Sequence, residues 1–437
     1  MKRYPAYKDS GVEWIGKIPE GWEIRRLRYI SKSVKTGTTP PSENLEYYDE
    51  GNIDWYTPGD FGESLELLSS SKKITVLAIK NRVARIFEKG TILLVGIGAT
   101  LGKIALMHKQ ASLNQQINAI VLDERFIPKF YAYYLNSIKD IIISLSNAAT
   151  LGIINQERTK QIICLVPSKN EQSTIANYLD HKTAMIDELI KKNKRLIELL
   201  KEKRQAIISH AVTKGLDPNA NMKDSGIDWI GEIPEGWGVK KLKYVAEIVL
   251  GKMLQNEDSG KDELKPYMRA QNIQWEIVDI TDVKEMWFSD YEIKKYRVQK
   301  GDLLISEGGE VGRTALWNGE LEECYIQNSV HKVTVDKKLA NNRYLLNLLK
   351  TYGKWGYFES IVNRVSIGHL TREKLKEIKI VCPPKNEQEQ IVTYLDKKSS
   401  SMDETIQKIQ SQIEKLKEYR QALISNVVTG KVRIDEN

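Results

Sequence analysis

Cysteine is scarce: Cys164, Cys324 and Cys382 are the three in 437 residues, too far apart for a disulfide framework or a C-x-x-C zinc site. They suit a reducing compartment as buried thiols. The five histidines, His108, His181, His210, His331 and His369, show no metal-ligand spacing, and no G-x-S-x-G elbow accompanies them, which disfavours metal and triad chemistry. Long apolar runs are also missing. The longest, TILLVGIGATLG from Thr91, falls well short of the roughly 20 residues that a bilayer requires, so no membrane association is expected. The opening MKRYPAYKDS has no apolar stretch of the secretory kind, so the expected location is the cytoplasm. GIGATLGK lacks the first glycine and the following hydroxyl of a phosphate-binding loop, with Ile97 and Ile104 in their places, and its glycines miss the G-x-G-x-x-G spacing. A tight turn between strands fits it better. No N-P-P-[YF] tetrapeptide of aminomethyltransferases is present, and the E-x-K triplets are what a chain with 28% charged residues produces by chance. The chemistry of catalysis is thin, so a binding protein is the default reading.

Composition is otherwise that of a globular chain, with 41% apolar residues and enough length for about three domains. The net charge of +8 makes nucleic acid or an anionic surface a plausible partner, because Lys and Arg supply sequence-independent affinity for phosphate. Basic clusters with a neighbouring tyrosine occur at Arg25, Arg26, Arg28 and Tyr29, at Lys240, Lys241, Lys243 and Tyr244, and at Lys294, Lys295, Arg297 and Tyr296.

Internal repetition decides the architecture. YKDSGVEWIGKIPEGWEIRRLRYI from Tyr7 returns as MKDSGIDWIGEIPEGWGVKKLKYV from Met222, and PSKNEQSTIANYLD from Pro167 returns as PPKNEQEQIVTYLD from Pro383. Between these anchors the copies differ, although KGTILLVGIGATLGKIAL still resembles KGDLLISEGGEVGRTAL. Each copy reads as a short Trp-containing motif, a variable globular region and a charged helix. A period this long signals a duplicated domain and a pseudo-two-fold molecule.

Each charged helix carries a seam in alternating steps of four and three. Ile186, Ile190, Asn193, Ile197, Leu200, Arg204, Ile207 and Ala211 form the first, and Met402, Ile406, Ile409, Ile413, Leu416, Arg420, Leu423 and Val427 the second. Two such stripes bury one another best within the chain, and pseudo-two-fold symmetry makes the pair antiparallel, spacing the variable regions apart. An external coiled-coil dimer through the same seams is the alternative. Polar Asn193, Arg204 and Arg420 are expected to fix register or to meet another subunit. The variable regions, with apolar runs such as TILLVGIG, INAIVLD, DLLISEGG and HKVTVD between glycine turns, read as mixed strand and helix, so the fold class is α+β.

The whole chain resembles the specificity subunits of type I restriction-modification systems. The resemblance rests on the repeated D-S-G-x-x-W-I-G-x-I-P-E-G-W, the tract TGTTPPSENLEYYDEGNIDWYTPGD from Thr36, the KGDLLISEGGEVG turn, and the Pro-x-x-x-E-Q lead-in to each helix. It implies a Trp-containing motif over 1–20, a first target-recognition domain over 21–168, a long helix over 169–215, a second Trp motif over 216–235, a second recognition domain over 236–384, and a helix over 385–432. Each recognition domain would read half of a bipartite site on double-stranded DNA. The antiparallel helices would act as a ruler and dock two methyltransferase subunits, with restriction subunits completing the complex. S-adenosylmethionine, ATP and Mg would belong to those partners, leaving this chain without a cofactor and without catalysis of its own. Because the variable regions diverge while the frame does not, the two half-sites should differ. A coiled-coil scaffold whose lobes bind protein partners is the competing class, and a steep salt dependence of DNA binding would separate the two.

Base contacts call for Arg, Lys, Asn or Gln on major-groove edges and cations on phosphates. The candidates in the first region are Thr38, Thr39, Tyr47, Tyr48, Trp55 and Tyr56, with Lys103 in the glycine turn near the DNA backbone. Trp55 and Tyr56 suit a core equally well. In the second region they are Arg269, Gln271, Asn272 and Gln274, which align roughly with Thr57 to Asp60, together with Arg313.

Overall fold

A computed structural model describes residues 2–146, 152–258, 260–362 and 368–435. The chain forms two units, one of Met1–Asn193 with Gln410–Asn437 and the other of Lys194–Ile409. The fold is α+β, and two helices, Lys169–Lys214 and Lys385–Val428, far exceed the others in length. Each unit holds one half of each long helix.

The first unit is built on a five-stranded sheet in the order Ser31–Thr36, Ile117–Leu122, Ile92–Val95, Ile104–Met107, Glu66–Leu67. Ile92–Val95 lies mid-sheet and is buried at every position, which is why it reads as an unbroken apolar run. A smaller sheet holds Ile53–Tyr56 parallel to Ala111–Leu113, with Trp55 opposite Ser112 and Tyr56 opposite Leu113. GIGATLGK is the turn of the hairpin between Ile92–Val95 and Ile104–Met107. Gly102 there has φ +80°, and a Cβ on it would lie 2.6 Å from the Ile143 side chain.

The second unit repeats this plan. Its main sheet runs Ala246–Leu250, Val330–Val335, Leu303–Ser306, Thr314–Leu316, and its smaller sheet pairs Glu263–Met268 in parallel with Tyr325–Ile326. Cys164 and Cys324 are buried. Cys382 departs from the expected buried thiols and is half-buried; it stands at the end of the strand Lys379–Cys382, opposite Gly238.

The repeated motifs lock each unit to its helices. Trp22 is buried and donates its Nε1–H to Glu171 at 3.0 Å, and Trp237 does the same to Glu387 at 3.0 Å. The neighbouring glutamines are buried too. Gln172 accepts from Ile127 N and donates to Pro167 O, and Gln388 accepts from Asn341 N and donates to Pro383 O. The Glu-Gln of each lead-in thus joins Trp motif, domain and helix through groups that burial leaves without water. About two turns on, Lys129 and Tyr133 meet Asp180, and Arg343 grips Asp396 through two nitrogens at 2.6 and 2.7 Å.

Within each unit the helix halves run antiparallel and cross-link through charge. Arg420 meets Asp187 at 2.9 Å in the first unit, and Arg204 meets Asp403 at 2.8 Å in the second. The two pairs are equivalent under the internal repeat. Ile186, Ile190, Ile197, Ile406, Ile409, Ile413 and Leu423 are buried, whereas Leu200 and Leu416 are half-buried. Asn193 keeps its amide nitrogen buried and without a partner.

Candidate nucleic-acid interface

In each unit, four loops converge at one end of the two sheets. A glycine lets them approach. Gly37 follows Ser31–Thr36, and a Cβ there would sit 2.3 Å from the carbonyl oxygens of Leu113 and Asn114. Gly251 follows Ala246–Leu250, and its Cβ would sit 2.3 Å from the Gln327 oxygen. No side chain fits at either position. The main chain crosses beside each glycine in the same way: Thr38 N donates to Leu113 O, and Lys252 N donates to Ile326 O.

The second loop is a short 3-10 turn after the parallel strand. Thr57 N donates to Asp60, and Arg269 N donates to Asn272, so the rough alignment of Arg269–Asn272 with Thr57–Asp60 holds in three dimensions. Burial pushes the Asp60 carboxyl up, but hydrogen bonds from Thr57 and Ser71 outweigh it and hold the group below its usual range. The third loop is the glycine turn. Lys103 reaches from it to Phe61 O at 2.7 Å, and Arg313 reaches to Gln274 at 2.8 Å and to Ala270 O. Lys103, expected near the DNA backbone, and Arg313, a base-contact candidate, both brace the 3-10 turn.

The fourth loop carries residues that pattern reading passed over: Asn114, Gln115 and Gln116 in the first unit, Gln327, Asn328 and Ser329 in the second. Asn114 N donates to Tyr56 O and Gln327 N to Met268 O, while Gly96 N donates to Gln116 O and Glu307 N to Ser329 O. These polar triplets tie the other three loops together. Their signal was present in sequence, as LNQQI and IQNSV, each a polar triplet set between two apolar strands.

The candidates separate by burial. Tyr56 is fully buried with its hydroxyl on Leu67 O, Trp55 is buried with Nε1 on Thr38 O, and Tyr47 is buried beside Asn81. Tyr48 is half-buried and donates to Pro40 O at 2.6 Å. Trp55 and Tyr48 hold the Thr38–Pro40 loop, while Tyr47 and Tyr56 are packed in the core beside it. Asn272 is likewise buried, its amide donating to the Asp279 and Asp282 carbonyls. Apolar mass beside a functional loop is packed under it, because an aromatic ring gains more from burial than from exposure.

What faces solvent is smaller and more polar. Thr38 is half-buried and its hydroxyl accepts from Arg85 N, while Thr39 is exposed and its hydroxyl accepts from Asn114. In the second unit Gln271 is exposed, and Gln274 and Arg269 are half-buried. Arg269 meets Asp282 at 2.8 Å, and that hydrogen bond, helped by Lys284, holds the Asp282 carboxyl below its usual range. The Arg269 Nε is buried without a partner. Such a surface offers donors and acceptors on a rigid main-chain frame, which suits recognition rather than covalent chemistry. Among the described residues no group of three or more His, Cys, Asp or Glu is placed to hold a metal, and no helix is long and apolar enough to cross a membrane.

Known proteins resemble this chain along its length. The family model described as type I restriction modification DNA specificity domain matches residues 19–199 and 234–415. The MjaIX specificity subunit of Methanocaldococcus jannaschii is 26% identical over 97% of this chain and 96% of its own length. The EcoKI specificity subunit of Escherichia coli K12 is 20% identical over 95% of this chain and 90% of its own. Among solved structures, the HsdS subunit of Thermoanaerobacter tengcongensis superposes with a TM-score of 0.59 at 18% identity, covering 99% of this chain and 100% of that one. A chain of the type I R-M system, solved for its complex assembly and conformational transition, superposes at 0.69 with 18% identity, covering 95% of this chain and 99% of the other. These likenesses carry the fold.

Proposed function

Because the chain belongs to the family of type I restriction-modification DNA specificity proteins, we propose that the loop end of each unit reads one half of a bipartite, asymmetric site on duplex DNA. The observation that carries this reading is a shared frame with unlike contents. The same main-chain hydrogen bonds hold both sets of loops, yet Thr38, Asn114 and Gln116 stand where the other unit has Lys252, Gln327 and Ser329. Two readers built on one plan with different side chains select different bases.

In this reading Thr38, Thr39, Gln115, Gln271, Gln274 and Arg269 present the polar groups, and the buried aromatics position them. The long helices set the interval between half-sites and dock two modification subunits, with restriction subunits added to that core. S-adenosylmethionine, ATP and Mg serve those partners, the chain contributes recognition without catalysis, and the complex works in the cytoplasm.

Single-molecule methylation sequencing of the host genome with and without the gene tests this reading. The expected result is loss of one bipartite, non-palindromic methylation motif on deletion. An unchanged methylome, together with salt-insensitive behaviour of the co-expressed complex toward DNA, would overturn it.

A further inference from the structure

Glu307 opens the glycine turn of the second unit, at the position that Gly96 holds in the first: Glu307 N donates to Ser329 O as Gly96 N donates to Gln116 O. Its main chain is held from both sides, since its carbonyl also accepts from Leu370 N at 2.8 Å. The side chain is half-buried. The other carboxylates of the glycine turn and of the loop that holds the 3-10 turn have donors. Thr281 serves Asp279, Arg269 and Lys284 serve Asp282, Lys350 serves Glu276, and Trp275 serves Glu310. Among the described residues the Glu307 carboxylate has neither hydrogen bond nor ion pair. Burial pushes its carboxyl above the usual range, and His369 beside it pulls the other way.

A carboxylate facing a polyanion is repelled unless it meets a hydrogen-bond donor. Duplex DNA offers such donors at its base edges, as cytosine N4 and adenine N6 in the major groove and guanine N2 in the minor. Adenine sets the N7 acceptor beside its amino group, which repels the second carboxylate oxygen, and cytosine has no acceptor there. We propose that Glu307 reads a cytosine of the second half-site through its N4–H. This assignment rests on the loop ends being the DNA interface. The doubly held main chain keeps the reader in place before DNA arrives, as a specificity contact requires.

The test is the methylome of the host carrying the wild-type chain, Glu307→Gln or Glu307→Gly. The wild-type motif is expected to contain an invariant C·G pair in its second half. Glu307→Gln replaces an acceptor-only group with one suited to adenine N6 and N7, and should weaken selection for that pair roughly tenfold and admit A·T. Glu307→Gly installs the first unit's residue and should accept any base there, with the first half unchanged in both variants. An identical motif in all three strains overturns the assignment. So does a change confined to a position that is not C·G, or a uniform loss of methylation at every site. Absence of any gene-dependent bipartite motif from the wild-type chain overturns the interface reading itself, and the assignment with it.

Discussion

His331 is fully buried in the strand Val330–Val335, with Nε2 2.6 Å from Leu370 O and Nδ1 buried without a partner. It clamps the segment at Leu370 against the glycine turn. The first unit does the same work with an amide: Asn118 donates to Ile154 O at 2.7 Å, and Ile154 N donates to Gly96 O. Burial pushes the imidazole from its ordinary 6.5 down to about 4. The unfolded chain therefore takes up a proton near 6.5 that the folded chain refuses until about 4. The clamp's stability is present in full above 6.5 and is lost as pH falls through that window. At roughly 1.4 kcal/mol per pH unit, the loss reaches about 3 kcal/mol. His331→Asn, the substitution the repeat itself supplies, should keep the hydrogen bond to Leu370 O and remove this pH term. Thermal unfolding at pH 7.5, 5.5 and 4.5 checks it. The wild-type second unit should lose about 6–12 °C more than the variant between the extremes. Equal pH slopes for the two proteins would refute the reasoning.

Gly251→Ala should drive its new methyl into the Gln327 carbonyl and impair the second half-site, and Gly37→Ala the first, which bipartite-site binding by the co-expressed complex would resolve. Trp237→Phe removes a donor to Glu387 and should cost about 1.5–3 kcal/mol in chemical denaturation, with Trp22→Phe matching it in the first unit. Exchanging charges as Arg204→Asp with Asp403→Arg should recover most of what either single change loses, with a coupling of about 0.5–1 kcal/mol in a double-mutant cycle. Arg269→Ala should relax the second half-site alone, since its guanidinium lies in the second unit's loops, and an unchanged recognition sequence would remove it from the interface.

Sequence alone was enough to identify whatever depends on neighbours in the chain or on comparing the chain with itself. The 3.5-residue spacing through Ile186, Ile190 and Ile197 marks a helix seam because side chains three and four apart share a face. The run at Ile92–Val95 marks a strand, and the repeated Trp motif and Glu-Gln lead-in mark a duplicated domain. The α+β class, the paired long helices and the family all follow from such local and self-referential signals. Tertiary structure alone decided what each side chain meets. Trp22 and Glu171 lie 149 residues apart, and no periodicity relates them. Trp55 and Tyr56 stand in a tract dense with functional residue types, yet both are packed in the core. Lys103 and Arg313 carry the charge expected of a nucleic-acid contact, yet Lys103 turns inward to Phe61 O and Arg313 to Gln274 and Ala270 O. Whether a polar or aromatic group is presented or packed depends on which distant segment covers it, and that is set when the sheets close rather than by the order of residues along a strand.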